Sequence, residues 1–146
     1  MPEIVETLAV GMLGCNCSVV AEPGGNAAVV IDPGDEVPRI LDILKTHGLN
    51  LVGILHTHAH FDHILGTGEL AKATGSPIWL HEGDLPLYDN VEVQTSMFGL
   101  PLNPELPAPD HFFEDGTEVA VGKGETLRVL HTPGHTPGSV CFRAEV

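Results

Sequence analysis

The chain is short of positive charge, of cysteine and of long apolar runs. Of its 146 residues only 6 are lysine or arginine, against 20 aspartates and glutamates, a formal net charge of -14. An excess of that sign repels phosphate backbones and anionic lipid, which argues against nucleic acid or a membrane surface as an electrostatic partner. The three cysteines, Cys15, Cys17 and Cys141, cannot all pair. Cys15 and Cys17 have the spacing of a strand, which sends both thiols to one face, and that spacing is unlike the usual zinc or redox pair, so both are read as packing residues. No apolar run approaches the ~18 residues of a membrane span. Met1-Pro2-Glu3-Ile4 does not open a basic segment followed by a long apolar stretch. A signal peptide is therefore not expected, and the cytoplasm is the default address.

What the chain does have is apolar patterning. Hydrophobic residues make up 42%, charged residues 18%, and mean hydropathy is +0.14, values of a globular chain. Its length suits a single domain over residues 1–146 with a sizeable core. Strands are predicted over Val5 to Val10, Ser18 to Ala21 and Ala27 to Ile31, with turns at Gly11 to Gly14 and Glu22 to Asn26. Val37, Ile40, Leu41 and Leu44 recur at helical spacing, with Pro38 in the first turn and Gly48 beyond the end. A strand over Leu51 to Leu55 leads to a helix from about Ile64 to Ala73, burying Leu65, Leu70 and Ala73 and stopping at Gly75. Ser76 to Leu80 reads as a strand and Glu82 to Tyr88 as a short helical turn. From Asn90 to Asp110, apolar residues alternate with Pro101, Pro104, Pro107 and Pro109. That pattern argues against a regular helix or central strand and for an apolar loop that covers a site, joins protomers or packs on the body. A turn at Phe113 to Thr117, strands at Glu118 to Val121 and Thr126 to Leu130, and a strand opening at Val140 complete a mixed sheet pattern.

Two histidine-rich stretches follow strands. His56-Thr57-His58-Ala59-His60-Phe61-Asp62-His63 follows the apolar run ending at Leu55, and His131-Thr132-Pro133-Gly134-His135-Thr136-Pro137-Gly138 follows the strand ending at Leu130. The glycines of the second stretch permit tight turns while its prolines restrain the loop, and a preorganised ligand needs such rigidity. Imidazoles with a hard carboxylate suit zinc, iron(II) or manganese. His58 and His60 leave an extended segment on the same side and can chelate one ion together, with His135 completing three imidazoles and a position left open for water. Asp62 and His63 come after the chain turns and point towards a second ion. Two ions about 3.5–4 Å apart can share a hydroxide, the nucleophile of metal-assisted hydrolysis. His56 and His131 are read as packing groups or partners of ligands, and Asp32 as an acid that holds its turn or supports a ligand rather than binding metal itself. His47, His81 and His111 are read as solvated.

Thr57-His58-Ala59-His60-Phe61-Asp62-His63 fits the pattern T-H-x-H-x-D-H, and through it the chain resembles the metallo-β-lactamase superfamily. Asp32-Pro33-Gly34 and Thr132-Pro133-Gly134-His135-Thr136 resemble that family's other landmarks in order and spacing, most closely those of small glyoxalase II-like (hydroxyacylglutathione hydrolase-like) hydrolases. The resemblance implies an α+β fold, an αββα sandwich with metals at one edge between two sheets. It implies that His58, His60 and His135 bind one metal, that Asp62 and His63 help to bind the other, and that Asp62 assists the water. Zinc is the expected ion, two in the complete family site, with iron or manganese as alternatives. Family members continue with a G-D-T-L-F-like segment whose aspartate bridges the metals, and with one more metal-binding histidine. This sequence stops at Val146 before either, so the expectation is a domain incomplete at its C-terminus, lacking most of its second half. The implied activity is hydrolysis of a small-molecule thioester such as a hydroxyacyl-glutathione by metal-bound hydroxide. The alternatives are a mononuclear-iron persulfide dioxygenase, a lactone hydrolase, or an inactive metal-binding fragment.

Overall fold

Glycine sets the first reversal of the chain. Gly11 and Gly14 take positive φ between β1 (Glu3–Val10) and β2 (Cys15–Ala21), which therefore pair antiparallel. The turn at Pro23-Gly24-Gly25 returns β3 (Ala27–Ile31) antiparallel onto β2. Strand β2 begins at Cys15, ahead of the expected Ser18, and both Cys15 and Cys17 point into the core. Helix α1 (Val37–Thr46) then crosses over to β4 (Asn50–Leu55), which lies parallel to β3. A short helix α2 (Phe61–Ile64) and helix α3 (Thr67–Thr74) carry the chain to β5 (Ile78–His81), parallel to β4. After a 3-10 turn at Glu82–Asp84 come α4 (Leu85–Asp89) and α5 (Val91–Met97), and β6 (His111–Phe113) adds parallel to β5. Strands β7 (Glu118–Ala120), β8 (Thr126–His131) and β9 (Val140–Glu145) form a second, antiparallel sheet. The computed structural model describes residues 1–100, 102 and 104–145; Pro101, one of the four prolines noted in the sequence, lies outside the described residues.

Three apolar clusters fix the layers. Ile40 and Leu44 of α1 and Leu70 of α3 cover one face of the six-stranded sheet, against Val10, Val30 and Ile54. The opposite face offers Val20, Val29 and Leu55 to Leu127, Val129 and Val140 of the second sheet. Each such side chain, fully buried, contributes roughly 1.5–3 kcal/mol, so the two interfaces hold the layers firmly. The result is an α+β, helix-on-sheet-on-sheet arrangement, three of the four layers of the αββα sandwich that the family resemblance implied. A third cluster, Phe61, Ile64, Leu80, Tyr88 and Val91, seats α2, α4 and α5 beneath the loop that follows β4.

The expected helix from Ile64 to Ala73 is in fact two helices. The Gly66 N–H donates to the Pro33 carbonyl at 2.9 Å, and a Cβ on Gly66 would lie 2.5 Å from that oxygen. The backbone is thus drawn against residue 33, and the helix breaks between Ile64 and Thr67. Leu70 is buried as expected, but Leu65 is only partly buried and Ala73 faces solvent. The stretch from Asn90 to Asp110 is not all loop either. Its prolines begin only at Pro101, so nothing stops Val91–Met97 from coiling as α5 with Val91 and Thr95 buried one turn apart. Val93, Met97, Phe98 and Leu102 remain exposed. Strand β6 is three residues long, too short for alternation to announce it. Among the described residues, no helix is long and apolar enough to cross a membrane.

His56, just past β4, joins three elements. It is wholly buried, with Nδ1 2.9 Å from the Trp79 carbonyl of β5 and Nε2 2.7 Å from the Thr67 hydroxyl of α3. A carbonyl only accepts, so Nδ1 carries the proton and Nε2 accepts from Thr67. Burial pushes its pKa down, against the opposing charge of Asp32 and the bond to Trp79. The unfolded chain protonates this histidine near pH 6.5, so stability is full above that value and falls as pH drops through it. His56→Leu strands both partners and is expected to cost about 2–4 kcal/mol above neutral pH. It is also expected to shrink the acid-side loss, both effects being read by urea unfolding over a pH series.

Candidate metal centre

The histidines converge because parallel strands end together. Beyond β4 the chain bends at Thr57 and reaches His60 in an extended conformation (φ -65, ψ 144) at the start of α2, and His58 and His60 come together. Their ring centroids lie 4.9 Å apart. His135, from the loop between β8 and β9, brings its ring to 4.8 Å from His58 and 4.6 Å from His60. Each of the three offers a ring nitrogen, and these atoms lie within 4.8 Å of one another. Asp32, His58 and His63 form a second convergent set, with the His58 and His63 rings 4.1 Å apart. Asp62 is in neither set; its carboxylate reaches His63 Nε2 at 3.4 Å.

Asp32 orients both sets. It stands at the end of β3 in the left-handed region (φ 57), a strained conformation for a side chain with a Cβ, and is nearly wholly buried. Its Oδ1 accepts the Thr57 N–H at 2.8 Å, and Oδ2 accepts the Thr57 hydroxyl at 2.6 Å and the His63 Nδ1–H at 2.9 Å. Having given its proton to Asp32, Thr57 Oγ1 accepts the His58 Nδ1–H at 2.9 Å, which leaves His58 Nε2 free as a donor of electrons. The close fit of this loop needs Gly34, where a Cβ would stand 1.8 Å from the Asp62 carbonyl oxygen. Cys15 Sγ lies 3.4 Å from His63 Nδ1. Burial, with the charges of Asp32 and Asp62, pushes that thiol far up, so it stays protonated.

The electrostatics favour neutral imidazoles in the first set. Burial, with His63 next, pulls the pKa of half-buried His58 down to about 4. Burial and the neighbouring His135 lower that of His60. His63 behaves oppositely. Burial pulls it down, but the hydrogen bond and charge of Asp32, helped by Asp62, outweigh that and raise its pKa. Three imidazoles converge, and the lowered pKa values of His58 and His60 leave those two with lone pairs and no proton to displace. That donor chemistry fits a divalent zinc, iron or manganese ion.

Two further residues brace the loop, and sequence reasoning missed both. Gln94 of α5 accepts the Phe61 N–H at 3.0 Å and donates to the carbonyls of Ala59 and Leu87 at 2.9 and 2.8 Å. Asp84 is wholly buried and accepts the Ala59 N–H at 2.8 Å. An acid in the turn after an apolar strand was the available signal for Asp84, three residues beyond β5, much as Asp32 comes directly after β3. His131 hydrogen-bonds the Pro137 carbonyl at 3.0 Å, in keeping with a partner of the ligand loop. His81 corrects its expectation: it is half-buried and stacks on His131 with centroids 4.1 Å apart, because β5 and β8 end side by side. His47 and His111 are exposed as expected. Leu13, Phe61, Gln94 and Phe98 wall a cleft in front of His60 and Asp62.

A model of the metallo-beta-lactamase superfamily matches residues 10–146. The hydroxyacylglutathione hydrolase GloC of Haemophilus influenzae is 36% identical over 139 residues, which cover 94% of this chain and 65% of that protein. An uncharacterized protein of Aquifex aeolicus is 37% identical over 142 residues, 97% of this chain and 65% of its own length. The di-iron-bound crystal structure of TTHA1623 superposes with a TM-score of 0.82 at 38% identity, covering 95% of this chain and 66% of that one. The chain thus spans about 65% of the length of the curated relatives it matches.

The Asp32 network has a direct readout in the metal-free protein. Asp32→Asn removes the charge that holds His63 above its ordinary range and leaves burial unopposed by that charge. The His63 pKa is expected to fall below its ordinary value of about 6.5, measured by NMR titration of the imidazole nitrogens. An unmoved His63 would show that Asp62, rather than Asp32, sets its charge.

Proposed function

The chain belongs to the metallo-beta-lactamase superfamily, and from that premise we propose a metal-dependent hydrolase of a thioester such as a hydroxyacyl-glutathione. In this reading His58, His60 and His135 hold one divalent ion, and Asp62 and His63 contribute to a second. The observation that carries it is the convergence of three imidazoles from two sheets, with His58 and His60 kept unprotonated. The Haemophilus relative supplies the substrate class. Zinc, iron and manganese are all compatible with the donor set, and the di-iron neighbour argues against assuming zinc. When bound, such an ion supplies Lewis acidity, which polarises a carbonyl and acidifies water.

The chain's own groups do the rest. Thr57 and Asp32 fix the tautomer and aim of His58, and Asp32 fixes His63. Asp62 stands at the cleft wall with its carboxylate accessible, where it orients a water and takes its proton. Leu13, Phe61 and Phe98 face the same cleft and exclude bulk water from a bound acyl group. The test is hydrolysis of a hydroxyacyl-glutathione by the chain loaded in turn with zinc, iron and manganese. His58→Ala and His135→Ala are each expected to lower kcat/KM by at least about 100-fold, since residues that merely orient a ligand are worth about 10–100-fold. Loaded protein that hydrolyses no faster than metal-free protein would sink the proposal. Oxygen uptake on glutathione persulfide with a single iron would replace it with an oxygenase.

A further inference from the structure

We propose that Asp84 is a positioning residue that sets the distance between the two ligand loops and thereby the geometry of the three-histidine set. This rests on the metal-holding reading above. His58 and His60 follow a strand of the first sheet, whereas His135 lies between strands of the second. Asp84, in the turn after β5, belongs to neither loop and grips both. Its Oδ2 accepts the N–H of Ala59, the residue between His58 and His60, at 2.8 Å, and the hydroxyl of Thr136, the residue after His135, at 2.7 Å. Its Oδ1 accepts the Gly138 N–H at 2.7 Å. One carboxylate thus holds a chain neighbour of every ligand in the set.

The arrangement is tight and specific to a carboxylate. A Cβ on Gly138 would stand 2.6 Å from the Asp84 backbone nitrogen and 2.8 Å from Oδ1, so the loops meet at closest backbone approach. Thr136 also accepts from the Ser139 hydroxyl at 2.8 Å, which leaves its own proton committed to Asp84. Three donors aim at two oxygens, and these partners are all neutral. An amide in that place would offer one acceptor oxygen and turn an N–H against a donor.

The experiment is cobalt(II) and zinc titration of the full chain, using the cobalt visible spectrum as a report of coordination, with amide exchange on the metal-free protein beside it. Asp84→Asn and Thr136→Val are expected to weaken metal affinity by about 10–100-fold and to change the cobalt spectrum. Thr136→Ser keeps the hydroxyl and is expected to rescue both. In metal-free protein, exchange at Ala59 and Gly138 is expected to quicken while β3 and β4 stay protected. If Asp84→Asn does not fold, the two Thr136 variants decide the matter. Variants with wild-type affinity and spectrum would overturn the positioning role alone. A wild-type chain that takes up neither metal would overturn the metal-holding reading, and this role with it.

Discussion

Strands β3, β4 and β5 run parallel and end on one edge of their sheet, and the chemistry of the molecule depends on that common ending. Asp32 follows the first, His56 to His63 follow the second, and the third ends at His81 and leads into the turn that holds Asp84. The crossover helices that make such strands parallel need an apolar face, which α1 and α3 supply through Ile40, Leu44 and Leu70. The second sheet packs on the opposite face and delivers His131 and His135 to the same edge. Ligands so placed lie outside the carboxyl ends of the strands, where open α/β sheets build their sites.

The polar groups at this edge form one connected system. Asp32 reaches His58 through Thr57 and His63 directly, while Asp84 reaches Ala59 and Thr136. Both acids are buried, and both are matched by hydrogen-bond donors. Partial burial and mutual proximity of the imidazoles then do what protonation would oppose, keeping His58 and His60 available as ligands.

Much of this was legible in the sequence, because local signals coincide there. His58, His60, Asp62, His63 and His135 sit in loops after apolar strands, and the structure brings His58, His60 and His135 to one point and Asp62 beside His63. The hydrophobic spacing of α1 and the alternation of Cys15 and Cys17 were equally plain. What could not be read depends on tertiary contact. Asp84 is one of 20 acids until three loops meet around it. The break at Gly66 is imposed by Pro33, a residue far back in the chain. Gln94 went unnoticed because the prolines after it coloured the reading of a short helix.

The Val140 N–H donates to the Thr57 carbonyl at 2.8 Å, tying the first residue of β9 to the threonine that steadies His58. This bond spans more than half the chain, and so do those from Asp84 to Thr136 and Gly138 when taken together with Ala59. Closing a loop of that reach costs more chain entropy than closing a local hairpin, by a term that grows with the logarithm of its length, and that cost comes before the contact rewards it. The first sheet, with its local hairpin and crossover units, has no such requirement. The three histidines therefore meet only when the second sheet docks, so a chain still being synthesised carries His58 and His60 for some time as an open, two-histidine chelator.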